Sequence, residues 1–426
     1  MIFVHTIFTP RDALTVNQAK KNVSLLVACQ ALAMTGSIIL FTIAALVGVS
    51  LAEDKSLATL PLALLQLATM CATIPAALLM RRVGRRLGFM VGVLIGAVGA
   101  GLGVLAIFQS SFSLFCLATL VFGCFNGFVG YYRFAAADAA TEAFRSQAIS
   151  FVVSGGIIAA IAGPGLAIWS KDWFVGQSFA DAPLFNQAAS AEYAGCLVMI
   201  VILQIAALVL LSGIDIPPLS EQERQKSGRS LGAIAQQPIF IVAVLGSMLG
   251  YGVMVMVMTA TPLAMVAFDH SFNTAASVIQ WHVLGMFVPS LFTGFLIARF
   301  GTLRIIFIGA ILSSLCIFIN LTGTGALHFG FALLLLGIGW NFMFVGSSTL
   351  LTQAYAPTER AKTQAMHDFL MFAFVAFATF LSGRLLERFS WAAVNYTGLL
   401  MILVVLGALG WFRQQGRAIA KSHSTP

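Results

Sequence analysis

Two stretches of this 426-residue chain read nearly alike: Thr141-Glu142-Ala143-Phe144-Arg145-Ser146-Gln147-Ala148 and Thr358-Glu359-Arg360-Ala361-Lys362-Thr363-Gln364-Ala365. Thr141 and Glu142 return as Thr358 and Glu359, while Arg145, Ser146 and Gln147 return as Lys362, Thr363 and Gln364. The same offset of 217 positions carries Arg82 and Gly84 onto Arg299 and Gly301. Two unrelated loops that agree on one offset point to a duplicated unit. Both loops also lie between hydrophobic stretches long enough to cross a bilayer. Internal repeats of this kind build transporters around the seam between the copies.

Composition fixes the environment. The chain is 59% hydrophobic and only 9% charged, against roughly 25% charged in a soluble domain, so it cannot cover a water-facing surface. About 20 apolar residues carry a helix across the hydrocarbon core. That criterion predicts an all-α polytopic membrane protein of twelve transmembrane helices, at 23–48, 57–79, 88–108, 113–134, 147–169, 193–213, 238–265, 274–298, 304–322, 329–351, 365–384 and 391–412. They divide into two pseudo-symmetric six-helix bundles, 23–213 and 238–412, joined by a linker at 214–237 and flanked by tails at 1–22 and 413–426. The linker holds Pro217, Pro218, Glu221, Glu223, Arg224, Lys226 and Arg229, and the polar outer segment from Ser170 to Glu192 carries Asp172 and Asp181.

With both termini cytoplasmic, all of the 23 basic residues except Lys55, Lys171, Arg384 and Arg388 fall on the inner side. The positive-inside rule therefore predicts that orientation, in a bacterial-type inner membrane. The net charge of +8 then reports insertion and contact with anionic membrane lipids, with no nucleic-acid partner. Lys20 and Lys21 precede a first span too long for a cleavable signal, which reads as a retained anchor. The six cysteines lie inside hydrophobic stretches without a C-x-x-C pair and read as packing residues, so no metal or cofactor is expected. The run Gly96, Gly99, Gly101, Gly103 sits within a span, where it packs helices and forms no dinucleotide loop.

At this point the chain resembles the Major Facilitator Superfamily, which is built from two six-helix halves. The loop Ala77-Leu78-Leu79-Met80-Arg81-Arg82-Val83-Gly84-Arg85-Arg86 resembles that family's G-x-x-x-D-R-x-G-R-R loop, and Gly294 to Gly301, with Arg299, is a weaker copy. Such a loop turns at a glycine and uses cations to latch one conformational state. This chain departs from the pattern at Ala77 and at Arg81, where glycine and aspartate are usual. The fifth span's Gly163-Pro164-Gly165 looks like the family's G-x-x-x-G-P antiporter motif, and this resemblance tilts toward export. The alternative is a glycine–proline pair that only bends a packed helix. The fourth span argues the other way, with Thr119 before Gly123 where many proton-driven exporters have arginine.

Ionisable and amide groups inside a bilayer are costly, so each is a candidate for a cavity or a partner. His282, beside Trp281, and the amides Asn126 and Asn341, with Trp340, are candidates for the substrate or proton pathway. For His282 and both asparagines the alternative is a helix–helix hydrogen bond. Tyr131 and Tyr132 join Trp281 and Trp340 as candidate cavity aromatics. Arg133, Asp138 and Glu142 cluster at the inner end of the fourth span and His367 with Asp368 opens the eleventh; together they form a candidate cytoplasmic gate, with direct substrate binding as the alternative.

These features predict a secondary active transporter, a single chain that moves a small amphipathic or aromatic organic solute by alternating access coupled to protons. Export is the first expectation, with import of a nutrient or vitamin-like molecule beside it. The absence of a nucleotide-binding loop argues against a self-contained pump. A membrane enzyme would have only the His367-Asp368 pair to work with, and a sensor would be expected to carry a soluble domain that neither tail provides.

Overall fold

The computed structural model describes residues 16–54, 57, 60–176, 191–216 and 228–422. The linker from Pro217 to Lys226, Asp181 of the outer segment, Lys55 and Arg11 lie outside the described residues. The first group of helices comprises α1 (Val16–Leu51), α2 (Leu60–Val83), α3 (Arg85–Phe108), α4 (Phe112–Val129), α5 (Tyr132–Ala139), α6 (Arg145–Ser170) and α7 (Ala194–Ser212). The second comprises α8 (Leu231–Ala235), α9 (Pro238–Ala267), α10 (Phe272–Phe287), α11 (Ser290–Phe300), α12 (Thr302–Thr322), α13 (Ala326–Leu351), α14 (Arg360–Arg388) and α15 (Trp391–Ser422).

Among the described residues, eleven helices or continuous helix pairs are long and apolar enough to cross a membrane alone, and α10 with α11 makes the twelfth span, bent by 42°. The sequence reading ran that eighth span straight through 274–298. Pro289 breaks it, because a proline ring nitrogen has no hydrogen to give the carbonyl one turn back. Hydroxyls start the helices that begin in polar loops: Ser111 caps α4 by accepting from the Leu114 amide at 3.3 Å, and Ser271 caps α10 from that of Thr274 at 3.2 Å. Large apolar side chains such as Ile161, Ile168 and Leu327 point outward, as they must where the surrounding solvent is hydrocarbon.

Within the first group α1 packs on α6, and α4 on both α2 and α3; within the second, α13 packs on α10 and α12, and α9 on α14. The groups meet along α2 with α14 and along α6 with α11. Small residues set the closest approaches. A methyl group on Gly294 of α11 would lie 2.5 Å from the Gln147 backbone of α6, and one on Gly99 of α3 would lie 2.7 Å from the Phe122 amide of α4.

The sequence repeat is also a structural one. Gly84 turns α2 into α3 at φ 86°, ψ 166°, and Gly301 turns α11 into α12 at φ 88°, ψ 148°. Each T-E motif forms a 3₁₀ turn leading directly into a long helix, Glu142–Phe144 in the first half and, two positions earlier in register, Pro357–Glu359 in the second. The two glutamates then diverge. Glu142 is exposed, whereas Glu359 is buried and accepts from the Arg229 guanidinium at 2.6 and 2.9 Å and from the Arg229 amide at 2.7 Å. That carboxylate raises Arg229 above its ordinary pKa and ties the end of the linker to the second group.

Gly301 has open space where a side chain would begin, so its replacement meets backbone strain alone. Gly301→Ala should cost about 1–3 kcal/mol, since that region of φ and ψ is nearly glycine-only, and should lower the melting temperature in detergent. Gly330→Ala, in an equally open position inside α13, should hold or raise it. Equal shifts would contradict the strain argument.

Candidate functional site

The loops holding Arg81, Arg82, Arg85, Arg86, Arg145, Arg299, Arg304, Arg360 and Lys362 share one end of the bundle, called here the basic end. Just inside it the halves are held together by buried polar contacts. The Arg133 guanidinium of α5 meets Asp368 Oδ1 of α14 at 2.5 Å and also donates to the Gly130 carbonyl at 2.9 Å. Asp368 takes His367 Nδ1 at 2.8 Å, and His367 Nε2 lies 2.6 Å from the Ser247 hydroxyl of α9. A second cluster sits nearer the surface. Arg85 at the start of α3 donates to Asp138 at 2.9 Å and to Gln364 of α14 at 2.6 Å, and Arg360 reaches Asp138 from the other half at 3.4 Å. Beside these, Ser146 donates to the Gly294 carbonyl at 3.0 Å and Ser150 to that of Ser290, which stitches α6 to α11.

Asp138 and Asp368 thus each meet a cation from the opposite half, while Glu142 stands apart in its exposed turn. The loop that lacks its own carboxylate at Arg81 finds one in Asp138, which holds Arg85 almost fully buried. Arg86 and Arg299 remain exposed, the latter with its guanidinium 5.5 Å from the Phe300 ring.

Above this floor, away from the basic end, lies a cavity of about 290 Å³ shared by both halves. From the first half it is lined by Gln30, Met34, Ser37 and Phe41 of α1, Gln66 and Thr69 of α2, Asn126, Val129, Gly130 and Arg133 from α4 to α5, and Val152 and Val153 of α6. From the second half come Tyr251, Met286, Phe287, Trp340, Phe344 and Phe372. Trp340 stacks on Phe344 with ring centroids 4.9 Å apart and planes 11° apart, while Tyr251 meets Trp340 edge-on at 5.4 Å and Phe287 does so at 6.1 Å. Arg133 covers the Phe344 ring at 4.7 Å, so the cation paired with Asp368 also touches the aromatic wall.

Of the residues singled out in the sequence, Asn126 and Trp340 reach this cavity, with Asn126 Oδ1 3.1 Å from the Ser37 hydroxyl. Three others do not line it. Trp281 is 58% exposed on the outer surface. His282, one residue on and therefore turned about 100° around the helix, is fully buried with Nδ1 2.8 Å from the Leu333 carbonyl of α13. Asn341 donates to the Met286 carbonyl at 2.7 Å and accepts from Thr293 at 2.7 Å, which holds the bent span where Pro289 interrupts its hydrogen bonds. For both His282 and Asn341 the geometry is a helix–helix hydrogen bond. Tyr131 and Tyr132 are likewise buried in the first half, Tyr131 donating to the Thr73 carbonyl at 2.9 Å. Two glycines of the fifth span set close approaches to α1, since a methyl on Gly163 would lie 2.6 Å from Ile38 and one on Gly155 2.8 Å from the Val27 carbonyl, whereas Gly165 faces open space.

Several lining residues carried a readable signal. Gln30, Met34, Ser37 and Phe41 follow one another at helical spacing, as do Asn126, Val129, Gly130 and Arg133, and Phe344 lies one turn beyond Trp340. Phe372 likewise lies one turn beyond Asp368, whereas Tyr251 had no such neighbour to mark it.

A helical membrane protein whose two halves meet over a shared central cavity, closed at one end by buried ion pairs, has the construction of a solute carrier. The Major Facilitator Superfamily model matches residues 26–280, and the chain belongs to that superfamily of transporters. It is 40% identical over 390 residues to the riboflavin transporter RfnT of Brucella anthropi, covering 91% of this chain and 94% of that protein. It is 27% identical to the uncharacterized MFS-type transporter YddS of Bacillus subtilis, over 92% of this chain and 91% of that one. Its fold is similar to the crystal structure of the E. coli fucose:proton symporter FucP, with TM-score 0.72, 16% identity, and 92% and 98% of the two chains covered.

Removing one partner of a buried pair costs about 3–5 kcal/mol, so Arg133→Ala should unlatch the basic end. In a cysteine-free background carrying Val129→Cys, labelling by an impermeant maleimide applied from the basic end should speed up several-fold. An unchanged labelling rate would reject the latch.

Proposed function

We propose that this transporter carries riboflavin or a closely related flat heteroaromatic vitamin across the bacterial plasma membrane by alternating access. The observation that carries the reading is the Trp340–Phe344 stack with Tyr251 and Phe287 along one side of the cavity. Aromatic faces of this kind bind a planar ring system by offset and edge contacts, and the identity with a riboflavin transporter supports the same ligand class.

A vitamin cargo favours uptake, the second of the two directions the sequence left open. Gly163 of the glycine–proline motif on which export rested packs closely on α1, a role that needs no export. With the basic loops cytoplasmic, the closed floor is the inner gate and the cavity belongs to the outward-facing state. Proton coupling fits the placement of Asp368 and His367, the titratable pair at the junction of cavity floor and gate.

The test is uptake of radiolabelled riboflavin by cells that neither make it nor carry another flavin transporter. Expression should confer uptake that a protonophore abolishes, while replacement of sodium should leave it intact. Trp340→Ala should remove about 1–3 kcal/mol of stacking, a loss in affinity of roughly five- to 150-fold. Preloaded cells that lose the vitamin faster on expression would reverse the direction, and the absence of flavin movement either way would reject the substrate.

A further inference from the structure

The cavity wall is chemically divided. Most of its polar groups come from the first half, the amides of Gln30, Gln66 and Asn126 and the hydroxyls of Ser37 and Thr69, and most of its rings from the second, with Phe41 of α1 the exception. Two buried hydrogen-bond donors on lining residues have no acceptor among the described residues: the indole Nε1 of Trp340 and the Nε of Arg133. Unmatched buried donors are costly, and a ligand acceptor would offset that cost. Arg133 is the one charged side chain among the described lining residues, and its charge is already matched by Asp368 at 2.5 Å.

We infer that the site selects the uncharged, unphosphorylated form of its flat ligand. In this arrangement the ring lies against Trp340 and Phe344, and an acceptor edge of carbonyls or ring nitrogens is turned toward Trp340 Nε1, Arg133 Nε and the first-half amides. A phosphate would bring about two negative charges into a membrane-embedded site whose cation is spent, and would have to compete with Asp368 for it. The inference rests on the flavin reading of the cavity and adds the discrimination.

The experiment measures binding of riboflavin, lumiflavin and flavin mononucleotide to the purified full-length transporter by quenching of flavin fluorescence. Riboflavin and lumiflavin should bind, and flavin mononucleotide should bind at least tenfold more weakly. Trp340→Phe keeps a stacking ring but removes the N–H, and should weaken lumiflavin binding about three- to tenfold. Flavin mononucleotide binding as tightly as riboflavin, or Trp340→Phe binding lumiflavin as the parent does, would overturn the inference while leaving a flavin carrier in place. Failure of all three flavins to bind would overturn the flavin reading itself.

Discussion

The structure depends on one ion pair. Arg133 and Asp368 come from opposite halves, are both withdrawn from solvent, and meet at 2.5 Å directly beneath the cavity. Two isolated charges could not stay at that depth, because each would carry a desolvation penalty of several kcal/mol. Together they cancel the charge, and His367, Ser247 and the Gly130 carbonyl take up further hydrogen-bonding capacity around them. The arrangement is stable only while the halves are in contact. Separation at the basic end must therefore hydrate both groups or supply each with another partner, and we propose on that ground that the pair is a latch with two definite states.

The latch works because the backbones around it approach closely. Ser146, Ser150 and Gly294 bring α6 and α11 into backbone contact, and a side chain on Gly294 would force them apart. Asp138 adds an outer layer by holding Arg85 of its own half and Arg360 of the other. Arg133 also lies over the Phe344 ring, so the cation that closes the gate is in contact with the ring wall a solute would touch. On this proposal, occupancy of the cavity and closure of the floor are connected through that contact. A carrier requires that connection, since a solute can shift the conformational balance only through contacts that differ between the two states.

Much of the fold was legible in the sequence because hydrophobic length and loop charge are local signals. The repeat was legible for a similar reason: Gly84 and Gly301 occupy a backbone region open to little except glycine, and so leave a mark in one dimension. The gate was partly legible, since Arg133, Asp368 and Asp138 stand out as charges at span ends, although Glu142 looked equivalent and turned outward. The cavity was harder. Scarcity and depth drew attention to His282 and Asn341, but which face of a helix meets a neighbour depends on a rotation that neither property reports. Conversely, Tyr251 and Phe372 are ordinary aromatics in a chain rich in them, and only tertiary packing sets Tyr251 against Trp340 and Phe372 against Tyr251. The bend at Pro289 follows the same logic: proline marks the place, and its neighbours decide the angle.

The central claim is that the basic end must open for solute to cross. The most direct measurement joins Asp138→Cys and Arg360→Cys, in a cysteine-free background, with a short cleavable bifunctional thiol reagent, and follows riboflavin transport in proteoliposomes before and after cleavage. Loss of transport on cross-linking, retained riboflavin binding, and recovery on cleavage are the predicted results. Transport that continues at the uncross-linked rate in fully cross-linked protein would contradict the account.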